Sequence, residues 1–303
     1  MEIVVTGGTG FVGRELVRQL VAAGHRVRLL QRRGPVSSRA DAASAVVQTV
    51  TSLADASQVA PAAAGADAII HLVGIISECG DQTFDRVHRG LTATLVRAAQ
   101  TAGVRRFLQM SALGTRANAA SGYHRSKWAA EEVVRGSGLD WTVFRPSLIY
   151  GREDHFTNLF ARLARWLPVL PVMGPGNRFM QPIAVECVAQ AFVAALSRAE
   201  TVGQTYDLCG PERLTFRAIL GEILQATGRR RRLVSIPLPL ARVQASILET
   251  FYPAFLRRPP PFNRDQLLML GEDNTGDGTV ADRLFGLIHP PFREALTRQF
   301  GGR

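Results

Sequence analysis

The sequence predicts an α/β protein: a doubly wound parallel sheet with a smaller, discontinuous carboxy-terminal domain. Three observations carry this expectation. A glycine-rich turn separates the first strand from the first helix, strand and helix patterns alternate to about residue 150, and that rhythm is lost after Gly151. The 303 residues, 46% of them hydrophobic, suffice for a large buried core.

Taken in order, Ile3-Val4-Val5 begins an apolar strand that runs into TGGTGFVG at 6–13. Gly7, Gly10 and Gly13 permit a tight turn, close approach of backbone to a pyrophosphate and packing of helix on sheet. The free N–H groups of a helix reaching residue 23 then face the anion. Placed between strand and helix, the motif is informative in a way that isolated glycines are not. Gly24 ends the helix and residues 25–30 form a second strand. At its end, a fold that prefers NAD(H) usually offers an acidic side chain to the ribose hydroxyls. This chain offers Gln31-Arg32-Arg33 instead. Guanidinium groups suit a 2′-phosphate, so Arg32 and Arg33 predict NADP(H) over NAD(H), with NAD(H) the alternative.

Residues 106–111 read as a short buried strand ending in Ser111, and residues 126–135 as a helix stopped by Gly136-Ser137-Gly138. Of the 36 Lys plus Arg residues all but one are arginine, and the exception, Lys127, lies four residues after Tyr123. Arginine is a planar fork with an untunable pKa, whereas an ammonium is a compact charge that suits a ribose diol and a neighbouring phenol. One helical turn puts Tyr123 and Lys127 on one face, about 5 to 6 Å apart at Cβ. A hydroxyl at a strand end, a phenol and an ammonium would then converge.

These residues resemble the short-chain dehydrogenase/reductase superfamily, in its extended or atypical branch. The match rests on TGGTGFVG, HLVG at 71–74, Ser111, YHRSK at 123–127 and RPSLIYG at 145–151. The resemblance implies a Rossmann-type fold with Tyr123 as general acid/base and Ser111 positioning a substrate carbonyl. Lys127 would hold the nicotinamide ribose and lower the tyrosine pKa, a tuning that a phenol with an ordinary pKa near 10 needs. It implies cofactor contacts from Gly7, Thr9, Gly10, Phe11, Val12, Gly13, Leu72, Val73, Gly74 and Pro146 as well. The chain departs from the pattern at Val50-Thr51-Ser52-Leu53, where relatives often place an Asp beside the adenine, and at His88, where an Asn is usual.

Downstream, GPGNRFMQPI at 174–183, YDLCGP at 206–211, FNRDQL at 262–267 and Glu272-Asp273-Asn274 look like bacterial relatives of the NADPH-holding alpha-subcomplex subunit of respiratory complex I. That group is often labelled NAD-dependent epimerase/dehydratase. The likeness implies two functions. One is an oxidoreductase acting on a carbonyl or quinone-related substrate. The other is a nucleotide-holding accessory factor for respiratory complex I or ubiquinone biosynthesis. An epimerase or dehydratase is a weaker third reading.

The expected domains are 1–150, with 181–210 returning to it, and a substrate domain from 151–180 and 211–303. Residues 152–180 lack a strand rhythm, 183–198 read as an apolar helix and 204–210 as a returning strand. Three scattered cysteines without CxxC argue against a disulfide framework and fit a reducing, cytoplasmic compartment. No histidine has metal-ligand spacing, so no metal is expected. No GxSxG elbow accompanies Ser111, which disfavours a hydrolase. The formal charge of +11 comes from dispersed arginines without a nucleic-acid module, so nucleic acid is not the expected partner. An anionic membrane is the better candidate, on its inner, cytoplasmic face. Arg229 to Arg232 precede, and Arg257-Arg258 follow, a segment in which Leu240, Val243, Ile247, Leu248 and Phe251 share one helical face. The opposing expectation is that the same stripe packs on the protein's own core.

Overall fold

The computed structural model describes residues 1–32, 45–50, 52–252, 255, 260 and 262–301, with the side chains of Arg32 and of residues 45–50 left out. The first half runs β1 (Glu2–Thr6), α1 (Phe11–Ala22), β2 (Arg26–Arg32), β3 (Ala45–Val50), α2 (Ala56–Ala63) and β4 (Ala68–His71). A π-helical turn, Asp85–Gly90, leads into α3 (Leu91–Ala102), followed by β5 (Arg106–Met110), α4 (Gly122–Arg135), β6 (Asp140–Pro146) and β7 (Ile149–Tyr150). Then come α5 (His155–Trp166), β8 (Val169–Met173), β9 (Phe179–Met180), β10 (Ile183–Ala184), α6 (Val185–Ala195) and β11 (Gln204–Leu208). The remainder is β12 (Leu214–Thr215), α7 (Phe216–Ala226), β13 (Arg232–Ile236), α8 (Leu238–Phe251), α9 (Arg264–Leu270), α10 (Thr279–Phe285) and α11 (Phe292–Phe300).

Seven strands form one sheet in the order β11-β6-β5-β4-β1-β2-β3, and every pairing in it is parallel. Strands covered on both faces need apolar residues at successive positions, and the period of two deals them to opposite sides. Ile3, Val5, Ile70, Leu108 and Phe144 enter one core beneath α1 and α6. Val4, Ile69, Phe107 and Val143 enter the other beneath α2 and α3. The chain reverses its direction of winding between β1 and β4, so the crevice beyond Thr6 and His71 is the switch point where α/β folds bind ligands.

The second half departs from expectation. Residues 152–180 are not irregular: they contain α5 and β8, and β8 finds its parallel partner in β13, far along the chain. The expected helix over 183–198 begins only after the β10 strand, which pairs with β7. β11 pairs with β6 at the edge of the main sheet. Side chains of Ser147, Gln181, Asp273 and Asn274 fasten the chain's last segment to the strand ends. Gln181 accepts from the Gly276 N–H at 2.9 Å and donates to the Gly210 carbonyl at 3.1 Å. Ser147 donates to Asn274 Oδ1 at 2.5 Å, and Asp273 accepts from the Phe179 N–H at 3.0 Å.

Candidate active site

The glycine turn sits at the switch point. Gly7 adopts φ +77°, and a Cβ on Gly13 would collide with the Gly7 carbonyl, so both positions exclude larger residues. No side chain caps α1 at Gly10, which leaves its first-turn N–H groups for an anion. Thr9 is exposed, and its carbonyl accepts from Arg14 at 3.0 Å, while Val12 and Gly13 are buried against the sheet. The Phe11 ring lies against Gly151. The Leu72 N–H donates to the Thr6 carbonyl at 3.1 Å, and Leu72 and Val73 back directly onto Gly7. Pro146 ends β6, its carbonyl accepting from the Leu113 N–H at 2.9 Å. Gly7 and residues 72–73 are therefore in contact at the ends of β1 and β4. Arg32 ends β2, its side chain outside the described residues, and Arg33 and Thr51 lie outside them too.

Helix α4 starts four residues earlier than the sequence suggested, with the Ser121 side chain accepting from the His124 N–H, so Tyr123 lies within it one turn before Lys127. Asp265, the second residue of α9, secures that end: its carboxylate accepts from the N–H groups of Gly122 at 2.7 Å and Tyr123 at 2.9 Å. A carboxylate on two first-turn N–H groups is a charge-assisted cap that the helix dipole favours. Nearby Asn263 donates to the Ile76 carbonyl, tying the same segment to the loop after β4.

Lys127 is buried, and its Nζ donates to the Met110 carbonyl at 3.2 Å. A Cβ on Gly74 would stand 3.0 Å from that Nζ, so glycine keeps a channel open between the ammonium and the crevice. Burial depresses the Lys127 pKa to about 8, with Glu131 opposing the shift, and the amine remains mostly charged at neutral pH. Tyr123 moves the other way. Burial, reinforced by the Asp265 charge, pushes its phenol up to about 12. The amine is turned to the Met110 carbonyl, and desolvation dominates at the phenol. The phenol consequently keeps its proton at neutral pH.

Ser111 is buried just beyond the end of β5. Its hydroxyl donates to Glu131 Oε1 at 2.5 Å, in a buried network where Arg145 bridges both Glu131 oxygens and Arg135 joins at 2.6 Å. That bond holds β5 to α4.

Two histidines complete the site. His88 lies in the π-helical turn, a distortion that often marks functional positions, and its ring meets the Tyr123 ring edge-on with centroids 5.3 Å apart. Nε2 accepts from the Ile75 N–H at 3.1 Å, so Nδ1 carries the hydrogen and donates to Ser126 Oγ at 2.7 Å. Ser126 in turn donates to the Tyr123 carbonyl at 2.8 Å. Burial, with Lys127 beside it, lowers the His88 pKa to about 2 and keeps the ring neutral. His71 is likewise held neutral at about 3 by burial, its Nδ1 on Thr6 Oγ1 at 2.7 Å. Only the departure from Asn flagged His88 in sequence, His71 entered only as the first residue of HLVG, and nothing local flagged Glu131. Among the described residues no group of three or more His, Cys, Asp or Glu could hold a metal ion, and all three cysteines are free thiols.

A cleft of about 550 Å³ opens beside the tyrosine, lined by Phe84, Gly122, Glu249, Asn263 and Leu268 among others. Phe84 packs edge-on against Tyr123, with centroids 6.0 Å apart. A small molecule there would lie between α4 and the α8–α9 segment.

The family model described as NAD(P)H-binding matches residues 7–162. The mitochondrial NADH dehydrogenase (ubiquinone) 1 alpha subcomplex subunit 9 of Arabidopsis thaliana is 31% identical over 278 residues, covering 89% of this chain and 69% of that protein. The ceramide reductase of Caulobacter vibrioides is 34% identical over 240 residues, covering 78% of this chain and 74% of that one. Among solved structures, UDP-glucose 4-epimerase from Thermotoga maritima superimposes with a TM-score of 0.77 over 99% of this chain and 98% of its own. Its 19% identity makes this a likeness of fold alone.

Proposed function

Because the chain belongs to the NAD(P)H-binding family, we propose that it is an NADP(H)-dependent oxidoreductase acting on a carbonyl or quinone-related substrate. The bound nicotinamide supplies or accepts the hydride. The chain's own residues do the rest. Gly7 to Gly13 and the start of α1 take the pyrophosphate, and Leu72 to Gly74 line the path to Lys127. Lys127, whose Nζ faces the space above Gly74, holds the ribose, and Arg32 and Arg33 meet the 2′-phosphate. In the reducing direction Tyr123 donates its phenolic proton to the substrate oxygen as hydride reaches the carbon. In the oxidising direction the phenolate takes the proton back.

The observation that carries this reading is the approach of the Lys127 ammonium to Gly74, one helical turn after Tyr123, beside the glycine turn at the switch point. The ceramide reductase relative adds support for reduction. The complex I relative supports a second reading, a nucleotide held for structural reasons. Purification without added nucleotide, followed by identification of any bound dinucleotide and its exchange rate, separates the two. Exchange within seconds is expected for an enzyme, and a trapped stoichiometric nucleotide would favour the accessory role. For the cofactor, Arg32→Asp is expected to weaken NADPH about tenfold to a hundredfold, since a charged hydrogen bond contributes about 1.5 to 3 kcal/mol. NADH binding should barely change, and equal losses for both would remove the NADP(H) assignment.

A further inference from the structure

Helix α8 carries an apolar stripe that, among the described residues, the core does not absorb. The helix turns Ala241 and Ala245 inward against Leu267, and these are its only buried residues. Leu240, Val243, Ile247 and Phe251, spaced i, i+3, i+7 and i+11, face outward with 60%, 58%, 51% and 56% of their surfaces exposed. The Phe251 ring stacks on exposed Phe255 at 5.6 Å.

The apolar surface continues beyond the helix. Ile236 joins Leu240, Val243 and Ile247 around one shallow groove. Alternation along β13 puts Val234 and Arg232 on the same face as Ile236, and the register sets Val169 of β8 beside Arg232. Val234 and Val169 are both exposed. Arg231 donates to the Ala164 carbonyl, bringing the end of α5 alongside, where Trp166 is 75% exposed under the Arg165 guanidinium.

The charges around this surface are of one sign. Arg230, Arg232 and Arg242 are exposed. The helix's sole carboxylate, Glu249, is turned away and engaged by the backbone N–H and guanidinium of Arg264. An exposed apolar face flanked by a tryptophan and by exposed arginines is complementary to acyl chains beneath anionic headgroups. A helix of this length with flanking charge lies in the interface, and among the described residues no helix is long and apolar enough to cross a membrane.

We propose that the face formed by α8 and the β8–β13 pair docks on an anionic lipid bilayer. The test is sedimentation of the full chain with vesicles of phosphatidylcholine alone and of phosphatidylcholine containing phosphatidylglycerol. Binding is expected on the anionic vesicles, weaker by about tenfold or more on the neutral ones, and weaker as salt rises. Val243→Ser combined with Ile247→Ser should reduce anionic-vesicle binding about a hundredfold, because two apolar side chains no longer leave water. Arg230→Ser combined with Arg232→Ser should reduce it about thirtyfold, at roughly fivefold per arginine. All four positions are solvent-exposed, so both variants should keep wild-type thermal stability and NADPH binding, which separates failure here from failure of the proposed function. No binding to anionic vesicles at low salt overturns the proposal. So does binding that the Val243/Ile247 change leaves intact, which would mean unspecific adsorption of a chain of charge +11. A dimer in vesicle-free buffer that the same change dissociates would assign the face to a second copy instead.

Discussion

Helices α4 and α8 are each 14 residues long and treat the interior in opposite ways. α4 buries His124, Ser126, Lys127 and Glu131, polar groups that ordinarily face water. α8 fully buries two alanines and leaves Leu240, Val243, Ile247 and Phe251 outside. Each inverts the rule that apolar groups go in and charges stay out. The inversion in α4 is stabilised by partners: Asp265 on its N-terminus, the Met110 carbonyl on Lys127, and Ser111 with two arginines on Glu131. Among the described residues no such partners cover the α8 stripe. Breaches of local consistency concentrate at functional sites, and these two point to chemistry in one helix and docking in the other.

The largest expected effect falls on α4. Tyr123→Phe removes one oxygen from a half-buried ring, so the helix should fold unchanged and bind nucleotide nearly as before. Turnover of a carbonyl substrate should drop about 10²- to 10⁴-fold, the usual contribution of a positioned acid/base. Turnover within twofold of wild type would leave α4's buried polar face without its proposed chemistry.

Asp265→Ala sharpens the comparison through stability. Removing a carboxylate cap from α4 should cost about 1 kcal/mol, read as a lower midpoint in urea unfolding. It also removes a negative charge that holds the Tyr123 phenol up, so the phenol should titrate at lower pH in an ultraviolet titration. An unchanged unfolding midpoint would mean that the helix end is satisfied in another way.

The smallest effect is expected on α8. Leu240→Ser or Val243→Ser removes a side chain more than half exposed, so unfolding stability should change by less than about 0.5 kcal/mol. Ala245→Leu, on the buried face of the same helix, should cost about 1 to 3 kcal/mol by overpacking against Leu267. If the serine variants were the more destabilising, the stripe would belong to the core after all.

Much of the nucleotide half was legible because its signals are local. A strand, a glycine turn and a helix follow one another within residues 2–22, and Tyr123 is one turn from Lys127. What stayed hidden depends on distant pairing. Asp265 reaches α4 from the far end of the chain, β8 needs β13, and Glu131 is brought to Ser111 only by the packing of α4 on the sheet. For α8, periodicity revealed an apolar face but not which face the core would take. The small residues Ala241 and Ala245, which permit close approach, decided it.

The most direct test of the central claim uses the fact that Lys127 is the chain's sole lysine. With ¹⁵N-lysine labelling, a single side-chain amine resonance reports on the site without ambiguity of assignment. Its titration midpoint in nucleotide-free protein should lie at about 8 rather than 10.5. Between those values the unfolded chain holds a proton that the folded chain has lost, so stability should rise with pH across the same window. Added NADPH should raise the midpoint, because an anion nearby favours the ammonium. A resonance that titrates near 10.5 and ignores NADPH would place Lys127 outside any nucleotide site and contradict the account.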